Sequence, residues 1–212
     1  ISGGSTGWTF YEDAFWDPNG WLELTGNLQG KSGSIYNTGA FVDPGDATIS
    51  FSIWTGDGIN TGADGFAMTV VDVPDVEALN AFVGEASNGG CLGYGVAGPC
   101  GDMALSAFHV EFDTWQNGGD PNTDPTPQNH VAITLDGNPG THLLWTDMLG
   151  VENSQQWHDV LVTIQGDHIT VSMDGVQKLD GQIPGFVFHG GFIGFSGTTG
   201  GATNFHPFDN LH

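Results

Sequence analysis

The stretch His158-Asp-Val-Leu-Val-Thr-Ile-Gln-Gly-Asp-His-Ile-Thr-Val-Ser-Met-Asp-Gly175 decides the fold. Val160, Val162 and Ile164 alternate with Leu161 and Thr163, and Ile169, Val171 and Met173 repeat the two-residue period. Successive side chains on a strand point to opposite faces, so each run reads as a strand with one face turned to a core. Gln165-Gly166-Asp167 between them is a hairpin connection, and Asp174-Gly175 supplies the next turn. The stretch is a β-meander.

The same period recurs at Ile49, Phe51 and Ile53, which alternate with Ser50, Ser52 and Trp54. Only Pro74 to Phe82 reads as helix, with Asp75 as N-cap. The 35 Gly and 10 Pro are dispersed, marking frequent turns rather than a linker, and no internal repeat stands out. Short strands without βαβ alternation predict an all-β antiparallel sandwich or jelly roll. At 212 residues, 1–212 reads as a single domain, and 38% hydrophobic residues, with 7 Trp and 14 Phe, suffice for a core.

Two Lys+Arg stand against 25 Asp+Glu, a net charge of −23. Nucleic-acid phosphates and anionic lipid surfaces are repelled by such a chain, so no nucleic-acid partner is expected. No apolar run approaches the roughly 18 residues of a membrane span, so no membrane insertion is expected. The acidity also suits a saline setting, where salt screens self-repulsion. Cys91 and Cys100 lie in a loop of glycines that can close on itself; a disulfide is expected, two buried free thiols being the alternative. A disulfide suits an extracellular or cell-surface setting. The start at Ile1 and the Gly-rich opening to Gly7 suit a mature module cut from a longer surface protein.

The chemistry concentrates in Ala107-Phe-His-Val-Glu-Phe-Asp-Thr-Trp-Gln-Asn117. On a strand Phe108, Val110 and Phe112 face the core, leaving His109, Glu111, Asp113 and Trp115 on the other face. The Glu111 and Asp113 Cα atoms then lie roughly 6.8 Å apart, at which oxygen ligands converge on adjacent cations. The loop that follows is dense in oxygen donors. Asp113, Asn117, Asp120 or Asp124 and a carbonyl near Trp115 would suit Ca²⁺. Glu111 and His130 suit a second, transition-type ion. The competing reading is a solvated acidic turn. His109 reads as a satisfied side chain, and His142, His158, His168, His206 and His212 show no ligand spacing.

Glu111-Phe-Asp113-Thr-Trp115-Gln-Asn117, followed by Asp124-Pro125 and His130, resembles the metal-binding stretch of legume-type (L-type) lectins. Ala63-Asp64-Gly65 resembles that family's Ala-Asp-Gly motif, Gly89-Gly90-Cys91-Leu92-Gly93-Tyr94 its glycine-rich loop, and Gly194 to Gly200 the strand into its specificity loop. The matches span most of the chain in the family's order. The resemblance implies a concanavalin A-like lectin/glucanase sandwich, expected here in a bacterial member. It implies metal ligation by Glu111, Asp113, Trp115, Asn117, Asp124 and His130, with Ca²⁺ and a second metal such as Mn²⁺. It also implies glycan binding by Asp64 (after a cis peptide), Gly89, Gly90, Asn117 and the loop residues Gly200, Gly201 and Ala202, with Trp115 or Tyr94 as an aromatic face. Partners would be mono- or oligosaccharides, including those on other cells' surfaces. The Asn117–Asp124–His130 spacing exceeds the legume pattern, and the cysteine pair is unlike legume members.

Two other classes compete. Glucanases of this sandwich type carry a second Glu where Gln116 stands, and an amide cannot act as proton donor or nucleophile, so no catalytic role is expected. Spacing suggests no Ser-His-Asp or Cys-His arrangement. An adhesin module gripping peptide through the same loops is the remaining alternative.

Overall fold

The computed structural model describes residues 6–59, 62–95, 100, 105–118 and 123–212. Two seven-stranded antiparallel sheets form the sandwich. The front sheet runs, in spatial order, Trp8–Glu12 (β1), Ser32–Asn37 (β4), Phe192–Thr198 (β14), Gly65–Asp72 (β7), Ser106–Asp113 (β8), His130–Leu135 (β9) and Leu144–Asp147 (β10). The back sheet runs Val176–Gln182 (β13), His168–Met173 (β12), His158–Gln165 (β11), Ala47–Ile53 (β5), Pro207–Asp209 (β16), Leu22–Glu23 (β3) and Phe15–Trp16 (β2). Gly56–Ile59 (β6) and Thr203–Phe205 (β15) make a small third ladder.

The meander is as read from its alternation. Gln165 pairs with His168 and Met173 with Val176, leaving two-residue turns at Gly166-Asp167 and Asp174-Gly175. Asp174 and Gly175 both have positive φ, 52° and 74°, as a type I′ turn demands. Val160, Val162, Ile164, Ile169, Val171 and Met173 are all buried in the core between the sheets. Phe51 of the back sheet meets Phe112 and Phe195 of the front sheet edge-on, at 6.1 and 5.1 Å between ring centroids, a favoured aromatic geometry.

The helix is Val76–Glu85 (α1), beginning and ending later than the sequence reading. Asp75 caps it, its carboxylate accepting from the Ala78 N–H. Leu79, Phe82 and Val83 follow the three-to-four-residue period and are buried. They pack with Tyr36, Val71, Leu92, Tyr94 and Ala107 in a second apolar cluster. The front sheet therefore has both faces covered, one by the back sheet and the other by α1 and the 86–95 loop. Cys91 and Cys100 are disulfide-bonded within the cover, with Cα atoms 5.5 Å apart.

Candidate functional site

Strand β8 lies between β7 and β9, and its register places the acidic residues. Asp113 sits opposite Gly65 on one side and His130 on the other, and Glu111 opposite Ala67 and Ala132. Phe108, Val110 and Phe112 enter the inter-sheet core, while His109, Glu111 and Asp113 on the outer face are also buried, at 0, 1 and 4% exposure. His109 is satisfied: Gly137 N–H donates to Nε2, so Nδ1–H donates to Thr69 Oγ1 at 2.8 Å. Burial lowers its pKa to about 3.

After β8 the chain folds back on itself. The Trp115 N–H donates to Asp113 Oδ1 at 2.7 Å, and the Asn117 N–H donates to Asp124 Oδ2. Asp120 lies outside the described residues. Single ligand atoms of Asp113, Asp124 and His130 lie within 4.8 Å of one another. Glu111, His130 and His142 make a second such group. Spacing had given His142 no ligand role. Pairing of β10 with β9 folds the connection back, so that His142 Nε2 stands 2.9 Å from Glu111 Oε1.

The electrostatics of this cluster call for positive charge. Burial drives the Asp113 carboxyl well above its ordinary range, and the charges of Asp124, Glu111 and Asp64 push it further. Asp124 is raised as well, first by burial. Burial works to raise Glu111 too, but His130, His142 and Tyr94 outweigh it and hold it at about 2. Asn117 Oδ1 is buried without a hydrogen-bond partner, and such an atom is costly unless something meets it, while Glu111 Oε1 meets His142 Nε2 at 2.9 Å and His130 Nε2 at 3.5 Å. His130 Nδ1 lies 3.3 Å from the Gln128 carbonyl, which orients the ring with Nε2 towards Glu111. These residues fit metal ions. The Asp113, Asn117 and Asp124 oxygens suit Ca²⁺, and the two imidazoles with Glu111 suit a transition ion.

Next to this cluster, Asp64 follows a cis peptide bond from Ala63. Its N–H donates to the Thr198 carbonyl at 2.9 Å and its carbonyl accepts from Thr114 N–H at 3.0 Å, so its backbone is tied to the ends of β14 and β8. Asp64 Oδ2 is buried with no hydrogen-bond partner, and burial raises the carboxyl to about 6. Gly200 abuts it closely enough that an added Cβ would lie 3.3 Å from Oδ2. Gly90 abuts Asn117, where a Cβ would lie 2.6 Å from Nδ2. Thr198 Oγ1 donates to the Gly89 carbonyl at 2.8 Å and seats the glycine loop on β14.

The structure thus pairs Asp64 with Gly200 and Gly90 with Asn117. Gly201 is exposed, whereas Ala202 is buried. Trp115 is exposed, but Tyr94 is wholly buried with its hydroxyl donating to Glu111 Oε2 at 2.5 Å. Tyr94 therefore cannot stack on a ligand, which corrects that half of the sequence reading. Glu152, which no motif flagged, accepts from Asn129 Nδ2 at 2.6 Å and Asn204 Nδ2 at 2.8 Å. It joins the approach to His130 to the loop following Gly200. Spacing also missed a Ser-His-Asp series, Ser154–His158–Asp174, on the back sheet.

No protein-family model matches the chain, and no curated protein matches it. Its fold is that of the L-type lectins. The metal-free lectin I-B4 of Griffonia simplicifolia superposes with a TM-score of 0.74 at 18% identity, over 100% of this chain and 95% of that one. The VIP36 exoplasmic/lumenal domain, in its Ca²⁺/Man3GlcNAc-bound form, gives 0.69 at 16% identity, over 99% and 83%. The Bauhinia forficata lectin in complex with GalNAc gives 0.67 at 22% identity, over 98% and 94%.

Proposed function

We propose that this chain is a Ca²⁺-dependent carbohydrate-binding domain of the L-type lectin family, acting in glycan recognition or adhesion outside the cell. One observation carries the reading: buried polar atoms of Asp64 and Asn117 with no hydrogen-bond partner lie beside the Asp113–Asp124–His130 and Glu111–His130–His142 groups at the end of β8, in a fold shared with sugar-bound lectins. Asp113, Asn117, Asp124 and the Trp115 carbonyl would hold Ca²⁺. Glu111, His130 and His142 would hold a second, transition-type ion. Bound metal would supply the positive charge that lets Asp113 and Asp124 ionise together.

The sugar's hydroxyls donate to the Asp64 carboxylate and accept from the Asn117 amide and the N–H groups of Gly89 and Gly90. Gly200 and Gly201, followed by Ala202, border the Asp64 side, and the exposed Trp115 offers an aromatic face. The metal contributes by preorganising Asn117 and the Asp64 backbone, which lowers the ordering cost of binding. Gln116 supplies no second catalytic carboxyl, so binding at this site is reversible and without glycoside cleavage.

The test is a glycan array probed with and without Ca²⁺, using excess chelator for the second arm. Binding to a coherent glycan set only with Ca²⁺ supports the reading. Binding that ignores chelator discards the metal's role. No glycan binding by the folded protein in either arm overturns the lectin assignment in favour of a peptide-binding module.

A further inference from the structure

Ser154, His158 and Asp174 lie on the back-sheet side of the molecule, and the carbohydrate site uses none of them. His158 begins β11 and Asp174 opens the type I′ turn after β12, so the antiparallel ladder brings them together. Asp174 Oδ2 stands 2.6 Å from His158 Nδ1, and His158 Nε2 stands 2.6 Å from Ser154 Oγ. With Nδ1–H donating to the carboxylate, Nε2 carries the lone pair and the serine hydroxyl donates to it. This is the connectivity by which a base activates a serine nucleophile and a carboxylate orients the base. The ring is held: His158 is 3% exposed, and the second Asp174 oxygen accepts the Asp159 N–H at 2.9 Å.

Ser154 sits between two residues of positive φ, Asn153 at 58° and Gln155 at 61°. Among the described residues the Gln155 and Gln156 N–H groups donate to no other group. The N–H following a nucleophile is a common oxyanion donor.

We propose that Ser154, His158 and Asp174 form a second, serine-type site that cleaves small, activated esters. Ser154 Oγ bonds to the ester carbonyl carbon as His158 Nε2 takes its proton. The carbon–oxygen bond to the alcohol then breaks, and His158 returns the proton to the departing oxygen, leaving an acyl-serine. Water attacks that carbonyl with His158 again taking a proton, the acid is released, and the proton restores the serine hydroxyl. No oxidant, metal or cofactor enters the balance.

The experiment treats the full chain with a fluorophosphonate probe and follows p-nitrophenyl acetate hydrolysis in parallel. Expected are one covalent adduct per chain, mapped by peptide mass to Ser154, and hydrolysis above the buffer rate. Both should vanish in Ser154→Ala. Asp174→Asn, at an exposed turn, should slow labelling at least tenfold or so, because the wrong tautomer is favoured, while the thermal midpoint barely moves. No adduct, an adduct elsewhere, hydrolysis surviving Ser154→Ala, or labelling unchanged in Asp174→Asn would each overturn the proposal and assign the series a purely structural role. Glycan binding is read on the same samples, and its loss or retention bears on the other site alone.

Discussion

Asp113 and His130 face each other as a residue pair of the β8–β9 ladder, both almost wholly buried. A carboxyl pressed towards protonation by burial and by Asp124 and Glu111 thus lies beside an imidazole turned towards Glu111. Bound cations would offset both strains, Ca²⁺ at Asp113 and the second ion at His130. The metal-free protein pays for holding these groups together, and that sets the behaviour of variants at the site.

Asp113→Asn removes the charge that Asp124 and Glu111 oppose while keeping an acceptor for the Trp115 N–H. In chelator, its thermal midpoint should match or exceed that of the parent. Added Ca²⁺, which raises the parent's midpoint by mass action, should leave the variant's unchanged. A variant that retains the Ca²⁺-induced shift would remove Asp113 from the ligand set.

Asp64→Asn should abolish glycan binding and leave Ca²⁺ affinity within a few-fold in calorimetry. Its stability effect has a definite sign. Burial raises the Asp64 carboxyl to about 6, so between the ordinary carboxylate value and that pH the folded state binds more protons than the unfolded one. Ionising Asp64 therefore costs stability as pH rises through that window. Chelated Asp64→Asn should equal the parent near pH 4 and exceed it near pH 7, by an order of 2–3 kcal/mol. Equal stability at both would contradict the burial cost.

Gly90→Ala tests the glycine loop without touching a charge. Its Cβ would come within 2.6–2.8 Å of the Asn117 amide atoms, the movable end of a side chain. The protein should fold normally, with Asn117 displaced and glycan affinity reduced at least tenfold or so. Undiminished binding on the array would show that Asn117 does not contact sugar.

Asp113 and Asp124 are both raised in the metal-free protein, and each must lose its proton to ligate Ca²⁺. Ca²⁺ affinity should therefore rise with pH from 5 to 7.5. Calorimetry in two buffers of different ionisation enthalpy should register proton release on binding. A pH-independent affinity without proton release would place the ion elsewhere.

His142→Ala should weaken binding of a transition ion by about 10–100-fold while leaving the Ca²⁺ isotherm unchanged. If both sites weaken together, His142 acts on the fold rather than on the second ion.

The strands and turns were legible because their signals are local. Alternation in 158–175 and 49–53, the Asp-Gly turn and the Asp75 cap depend on side-chain direction and backbone conformation within a few residues. Glu111 and Asp113 were legible as a pair because a strand places alternate residues on one face, whereas β8 ends at Asp113 and the turn after it places Asn117. The sequence could also expect the cysteine bridge, since Cys91 and Cys100 are nine apart. Burial of the outer face of β8 was not legible, because it requires α1 and the 86–95 loop to cover that face, and the cover takes Tyr94 out of reach of solvent.

Residue types and periodicity by themselves determined the sandwich and the acidic strand. Tertiary structure alone decided that His142 joins Glu111, that Glu152 ties Asn129 to Asn204, and that Ser154, His158 and Asp174 align. The physical reason is that such meetings depend on strand order and register. Ladder hydrogen bonds set these across long sequence separations, and no spacing along the chain encodes them.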